Sequence, residues 1–303
     1  MLSSTDSAAL LFQDEEKKSQ EQTEEAKQKA GEPTDKSENT AEEKLHRASK
    51  ERAEIFAPID AIKQIEQDLT HYLTKDNITP MLAGANDFIT LIHENTASNQ
   101  KGVMILLPDW QMSATSSNAL NYLRETLPNQ GWTTITIQPP SKPDGYPSNA
   151  LKLIEKNEEN KKVLDQYQDS LVLIMNAVMD KAKDYPGIFV VVSKGSHAAL
   201  LGNLYSTGKL EAPSAMVMLS NYMLTDAQAF AEVLAQSDIP VLDLYLSRDQ
   251  QLAQSNAVLR KAQANKEMKV YYRQTRLHNN QVGYYPEKSL LIAINGWLKS
   301  IGW

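Results

Sequence analysis

The sequence predicts one doubly wound α/β domain with a mostly parallel sheet, preceded by a polar leader. Beyond residue 100, short apolar runs alternate regularly with helix-like segments, which is the order of a parallel sheet with helical crossovers. The runs are continuously apolar, as in strands buried on both faces. The first 50 residues hold 12 acidic and 8 basic side chains and a single aromatic, Phe12. Such a composition disfavours a packed core.

Each predicted element rests on its own pattern. Apolar residues at steps of three and four predict a helix from Ile59 to Leu73. Alternation in Phe88–Glu94, followed by a polar link, predicts a hairpin with the strand that begins at Gly102. The other predicted strands are Val103–Leu107, Thr133–Ile137, Ile188–Val192, Ala215–Leu219, Val241–Leu246 and Lys269–Tyr272. The helices between and after them are Thr115–Thr126, Leu151–Lys183, Ser196–Tyr205, Thr225–Leu234, Gln250–Ala264 and Glu287–Lys299.

The composition divides the chain at about residue 57. Residues 1–56 are expected to form a disordered or transiently helical leader, with a role as tether or spacer left open. Residues 57–303 are expected to form the α/β domain. An insertion at about 139–165 lies where a cap over a site would be expected, and its charged part, Lys152–Lys162, is the candidate cap.

Several classes of function are disfavoured by composition and motifs. The chain has no cysteine and a net charge of −7, which argues against thiol chemistry and against general binding to nucleic acid. No G-x-G-x-x-G, Walker A or H-E-x-x-H motif occurs, so we expect neither a cofactor nor a metal site. No apolar run is long enough to span a bilayer, and the N-terminus has no signal-peptide pattern.

One turn stands out as a place for chemistry. The strand Ile188–Val192 runs into Ser193-Lys194-Gly195-Ser196-His197 and then into a helix, which is the local order of a nucleophile elbow. Asp249 closes the strand that begins at Val241, and His278 follows the last predicted strand. Elbow, acid and histidine thus occur in the chain order of the α/β-hydrolases.

Longer motifs support that relationship. The segments GVMILLPDW, LRETLPNQGWTTITIQPP, IFVVVSKGSHAAL and YYRQTRLH resemble an uncharacterised bacterial family, domain-of-unknown-function family 3530, within the α/β-hydrolase superfamily. The resemblance covers residues from about 87 to 300, and its most specific element is GWTTITIQPP with the polar insertion that follows. It implies an α/β-hydrolase-like fold, and exported relatives imply a periplasmic location.

The elbow departs from the hydrolase pattern G-x-S-x-G. Counting three residues from Val192 places Gly195 at the nucleophile position, and glycine has no side chain with which to attack a carbonyl. A shifted register makes Ser196 the nucleophile, but Lys194 then flanks the tight turn. Ser193 would leave the strand too early to lie at the apex.

The turn that would supply the oxyanion hole also departs from the pattern. The first buried strand ends in Leu107-Pro108-Asp109-Trp110. Proline has no N–H to donate, and Asp109 would bring negative charge towards a developing oxyanion. Both features argue against acyl transfer.

The remaining candidates have ordinary structural alternatives. Asp249 is expected either to orient a catalytic histidine or to cap the helix that follows. His278 is either the general base or a loop histidine, and His197 is expected to be packed or solvated. Trp110, Trp132 and Trp297 are expected in the core or at a pocket edge.

Two functional hypotheses follow. The favoured one is a non-catalytic or altered α/β-hydrolase-like protein that serves as a binding or assembly module of the bacterial envelope, with an unknown small-molecule or protein partner. The alternative is a serine hydrolase acting on an ester, thioester or amide through Ser196, His278 and Asp249.

Overall fold

The computed structural model describes residues 59–73, 78–110, 112–116 and 118–303. The predicted leader, residues 1–56, lies outside them. The strands are β1 Ile78–Ala83, β2 Asn86–His93, β3 Gly102–Leu107, β4 Trp132–Ile137, β5 Ile188–Lys194, β6 Ala215–Leu219, β7 Val241–Leu246 and β8 Tyr272–Leu277. The α-helices are α1 Ala61–Tyr72, α2 Ala119–Thr126, α3 Leu153–Ala182, α4 Gly195–Ser206, α5 Ala227–Gln236, α6 Gln251–Lys266 and α7 Glu287–Ser300, and a short 3₁₀ helix covers Leu127–Gln130.

The eight strands form one sheet in the order β1-β2-β4-β3-β5-β6-β7-β8. β1 and β2 run antiparallel to their neighbours, whereas every pairing from β4 through β8 is parallel. This arrangement confirms the predicted doubly wound, mostly parallel sheet. Because the strands β3 to β8 all point the same way, their carboxyl ends lie along one edge, where open α/β sheets bind ligands.

The core lies on both faces of the sheet, as the continuous apolar runs predict. Along β3, Val103, Ile105 and Leu107 pack on the face that α3 and α4 cover. Met104 and Leu106 belong to the opposite face, which α2 and α7 cover. All five side chains are fully buried. Alternate residues of one apolar strand therefore serve two separate cores.

Trp110, Trp132 and Trp297 are all buried. Trp297 and Trp132 pack in the core on the α2 and α7 face, whereas Trp110 belongs to the core on the other face. The expectation that these side chains lie in the core or at a pocket edge is confirmed.

Two strand predictions were wrong. β2 does not form a hairpin with β3: it pairs with β1 and β4, because the shorter Gly84-Ala85 turn joins it to a strand that the sequence did not reveal. The last strand is Tyr272–Leu277 instead of Lys269–Tyr272. Lys269 lies in the turn before it, where its ammonium group donates to the Ser237 carbonyl.

The insertion forms part of one continuous helix. α3 spans 30 residues, so its charged beginning and its apolar second half belong to the same element. The loop before it is attached to the helix, since the Ser148 amide donates to Asn160 Oδ1 at 2.7 Å and the Ser148 hydroxyl donates to Glu159. Leu153 and Ile154 at its N-terminal end remain exposed.

Candidate functional site

The elbow after β5 is a sharp strand-to-helix turn with Gly195 at its apex. Gly195 has φ +63°, a left-handed conformation that glycine adopts without steric cost. Lys194 is the last residue of β5, and Gly195 is the first residue of α4. The chain thus forms the strained turn on which a nucleophile is normally held, but places no side chain at its apex.

The carboxylate of Asp109 fills the space beside the apex. A Cβ atom built on Gly195 would lie 2.1 Å from Asp109 Oδ2 and 2.4 Å from its Cγ, far inside van der Waals contact. Asp109 Oδ1 accepts hydrogen bonds from the amides of Ser196 at 3.2 Å and Trp110 at 3.1 Å. Asp109 Oδ2 accepts one from the Tyr222 hydroxyl at 3.2 Å. The carboxylate is therefore held by groups from three turns.

Tyr222 stays in its neutral form, as a hydroxyl donor must. Burial and the neighbouring Asp109 carboxylate raise the pKa of Tyr222 to about 12. Its hydroxyl proton is therefore retained at neutral pH and remains available to Asp109 Oδ2.

Lys194 brings the opposite charge towards this site. Its side chain is half-buried, and its ammonium group lies 6.0 Å from the ring centroid of Tyr285. Burial lowers the pKa of Lys194, while the carboxylates of Asp109 and Asp249 act in the opposite direction. No ion pair within hydrogen-bonding distance joins Lys194 to either carboxylate in the described part of the chain. Lys194 thus balances charge at a distance.

His197 is packed beneath the elbow. It is fully buried, and its two ring nitrogens contact the Pro108 carbonyl and, at 2.7 Å, the Tyr167 hydroxyl. Since the carbonyl can only accept, Nδ1 carries the proton and Tyr167 donates to Nε2. Burial lowers the pKa of His197. The rings of Tyr167 and Trp110 lie against it, and Tyr146 packs on Trp110 in turn.

The structure does not join Ser196, Asp249 and His278 by hydrogen bonds. Asp249 Oδ2 accepts from the Ser220 hydroxyl at 2.6 Å and from the Leu246 amide at 3.0 Å. His278 is exposed, and its Nδ1 lies 3.3 Å from the Ser247 hydroxyl. Ser196 is buried at the start of α4. The hydrogen bonds of a catalytic triad are absent among these three described residues.

The alternative role of Asp249 as a helix cap was wrong. The N-cap of α6 is Gln250, and the Asp249 carboxylate binds the Leu246 amide, the Ser220 hydroxyl and the Gln250 amide outside the helix. Asp249 therefore closes the turn between β7 and α6.

Ser193 does not lie at the apex. It is a fully buried residue of β5, and its hydroxyl has no hydrogen-bond partner.

Three tyrosines that the sequence analysis missed belong to the site. Tyr222 follows β6 at the carboxyl edge of the sheet, so the strand-end rule could have found it. Tyr146 and Tyr167 belong to the insertion and α3, where no local pattern marks them.

A cleft of about 620 Å³ lies beyond the end of β4. The loop 138–144, the β1–β2 turn, α1 and α3 line it, and both polar and apolar side chains contribute. Tyr167 belongs to its wall and also donates to His197, so one side chain connects the cleft with the elbow. The volume is in the range of small-molecule sites.

Within residues 59–303, apart from the undescribed positions, no group of three or more His, Asp or Glu is arranged to hold a metal ion. None of the helices in the same part of the chain has the length and apolarity needed to cross a bilayer.

Sheet order, the sharp turn after β5 and the flanking helices define the α/β-hydrolase fold. The chain belongs to the family described as protein of unknown function, DUF3530, whose profile matches residues 2–171 and 155–300. The fold and the family match confirm the resemblance inferred from the sequence motifs. No curated protein gave a significant match.

Solved structures support the fold. Est1E from Butyrivibrio proteoclasticus is similar over 75% of this chain and 100% of its own, with 10% identity and a TM-score of 0.54. The esterase domain of a Rhodothermus marinus protein is similar over 74% of this chain and 97% of its own, with 7% identity and a TM-score of 0.51. At such identities the likeness concerns the fold alone.

Proposed function

We propose that this protein is a non-catalytic α/β-hydrolase-like binding module. The observation that carries the proposal is Gly195 at the apex of the elbow, where φ is +63°. Acyl transfer by this fold needs a nucleophilic side chain at that apex, and glycine has none. A hydrolase scaffold without its nucleophile retains a concave, rigid edge that can bind without reacting.

The surroundings of the elbow agree with a lost reaction. His278 is exposed beside Ser247, and Asp249 is engaged by Ser220 and the Leu246 amide. A general base must reach the proton that it removes, and a triad acid must reach the base. Ser196 lies one residue past the apex, and its amide donates to Asp109 Oδ1.

The cleft beyond β4 is the binding site that we favour. Its walls combine apolar side chains such as Phe88 and Ile174 with charged ones such as Lys63 and Lys142. This mixture suits a ligand or peptide with both apolar and charged groups. The family resemblance and the polar leader support a role in the bacterial envelope, with the leader as a tether to the partner assembly.

The decisive experiment is labelling of the full chain with a fluorophosphonate probe. Such a probe reacts with an activated serine, and a known serine esterase in the same assay shows that the reagent is active. We expect the wild type and the Ser196→Ala variant to give the same background signal. Labelling of the wild type that disappears in Ser196→Ala would overturn the proposal and establish the serine-hydrolase alternative.

A matched control separates specific from incidental labelling. Ser193→Ala changes a buried hydroxyl on the preceding strand that has no hydrogen-bond partner. A signal lost in Ser196→Ala and kept in Ser193→Ala would identify the reacting residue. A signal kept in both variants would be background labelling of other surface groups, as the proposal expects.

A further inference from the structure

Three donors converge on the carboxylate of Asp109. The amides of Ser196 and Trp110 both point at Oδ1, and the Tyr222 hydroxyl points at Oδ2. Within the described residues, Asp109 has no Lys or Arg within ion-pair distance. Its charge is stabilised mainly by backbone N–H groups and by a tyrosine, which is an anion-binding arrangement.

The two backbone donors occupy defined places in the fold. In α/β-hydrolases the oxyanion hole combines the N–H of the residue after the nucleophile with an N–H from the loop after β3. Ser196 follows the apex residue Gly195, and Trp110 lies in the loop after β3. These are the positions from which a hydrolase would bind the negatively charged oxygen of its tetrahedral intermediate.

Steric contact links Asp109 to the glycine. Any Cβ at position 195 would overlap Oδ2 and Cγ of Asp109, at 2.1 Å and 2.4 Å. With the Asp109 side chain in its present conformation, its carboxylate and a side chain at position 195 therefore exclude each other. Gly195 accommodates Asp109, and Asp109 in turn occupies the volume in which a nucleophile would act.

We propose that Asp109 is a built-in oxyanion that permanently occupies the anion-binding donors of the elbow. The chain thereby replaces the transient charge of a reaction by a fixed carboxylate. Two features then prevent acyl transfer: Gly195 has no side chain, and the carboxylate of Asp109 occupies the oxyanion hole. Removal of the carboxylate opens a site for a small carboxylate from solution. The inference concerns the same elbow as the proposed function, but does not depend on the absence of catalysis.

Chemical rescue tests the occupied donors directly. Asp109→Ala removes one carboxylate group, so formate is the probe of matching size and charge. We expect formate to raise the Tm of Asp109→Ala in a saturable manner by about 2–4 °C, measured against sodium chloride at equal ionic strength. The wild type, in which the donors are filled, is expected to respond equally to the two salts.

Asp165→Ala is the matched control, because Asp165 is exposed on α3, does not line the cleft, and its side chain has no hydrogen-bond partner among the described residues. The proposal predicts no formate-specific change for this variant. It would be overturned if formate and chloride acted alike on Asp109→Ala, or if Asp165→Ala gained as much as Asp109→Ala.

A double-mutant cycle tests the steric exclusion. Gly195→Ala, Asp109→Ala and the double variant are compared by their Tm. We expect Gly195→Ala to lower the Tm at least twice as much in the wild type as in the Asp109→Ala background. The strain of a positive φ is present in both backgrounds and cancels. Equal losses in the two backgrounds would contradict the proposed exclusion.

The cycle remains informative if Gly195→Ala fails to fold. Folding of the double variant would then itself demonstrate the rescue. If neither variant folds, the formate titration of Asp109→Ala decides. Failure of the proposed function remains distinguishable, because it concerns fluorophosphonate labelling of the wild type and not anion binding by a variant.

Discussion

Two carboxylates, Asp109 in the loop after β3 and Asp243 on β7, are held in opposite ways. Asp243 on β7 is fully buried and pairs with Arg260 of α6 through bonds of 2.8 and 2.9 Å. Tyr272 and Gln274 of β8 each add a bond of 2.8 Å. Asp109 is only partly buried and is held by two amides and one hydroxyl. The first carboxylate belongs to a closed network of complementary charge, and the second fills a backbone anion site.

The partners of each carboxylate indicate whether its role is structural or belongs to the candidate site. A buried carboxylate with its own arginine has no capacity left for a ligand, although it joins α6 to β7 and β8. A carboxylate seated on amides, with no cation in contact, occupies donors that another anion could use. We therefore assign a structural role to Asp243 and place Asp109 in the candidate site.

The largest expected effect is loss of the buried pair. Asp243→Ala leaves the Arg260 guanidinium buried without its counter-charge, and we expect the free energy of unfolding to fall by about 3–5 kcal/mol. Urea unfolding measures the change. Glu158→Ala, at an exposed position of α3, is the control and should change stability by less than about 0.5 kcal/mol. A small loss in Asp243→Ala would remove the contrast between the two carboxylates.

The tyrosine donors provide a closer comparison. Tyr272→Phe removes a donor to the fully buried Asp243, and we expect a loss of about 1.5–3 kcal/mol. Tyr222→Phe removes a donor to the partly buried Asp109, at the longer distance of 3.2 Å, and we expect about 1 kcal/mol or less.

Tyr205→Phe is the matched control for both, because the Tyr205 hydroxyl is buried without a partner and its removal should be neutral or stabilising. Equal losses in Tyr272→Phe and Tyr222→Phe would show that the two carboxylates are held equally firmly.

The smallest expected effect is the loss of stability through histidine protonation at pH values just below neutrality. Burial lowers the pKa of His197 beneath the elbow and, together with Arg124, that of His93 on β2. The unfolded chain then binds protons before the folded one, so stability is complete above about pH 6.5 and falls as the pH decreases towards the folded-state values. Each histidine contributes at most about 1.4 kcal/mol per pH unit within that window.

Unfolding in urea between pH 7.5 and 5 measures this dependence. His93→Gln keeps an acceptor for Arg124 Nη1, which lies 3.0 Å from His93 Nε2 in the wild type, and removes the titration. We expect a shallower pH dependence in His93→Gln than in the wild type. The same slope in both proteins would contradict the assignment of that part of the acid sensitivity to His93.

Most of the fold could be predicted because strands such as Gly102–Leu107 are continuously apolar, which is the pattern of a strand buried on both faces. β1 was missed because Ile78–Ala83 includes Pro80 and is only partly buried, so its pattern is weak. The order of strands was beyond local pattern, and the predicted β2–β3 hairpin failed for that reason.

The candidate site, like the fold, could be predicted from the sequence only in part. The apex at Gly195 followed from counting residues after an apolar strand, which is a local property of the turn. The contact between Asp109 and Ser196 joins positions 87 residues apart, and that between Asp109 and Tyr222 joins positions 113 apart. Neither contact has a signature in the sequence around its partners.

Local residue patterns were enough to predict the parallel α/β architecture, the family and the glycine at the elbow, because burial and turn geometry act on neighbouring residues. Which strand ends meet depends on the tertiary fold. By placing the ends of β3, β5 and β6 side by side, it put the carboxylate of Asp109 onto the elbow amide and left His278 exposed beside Ser247.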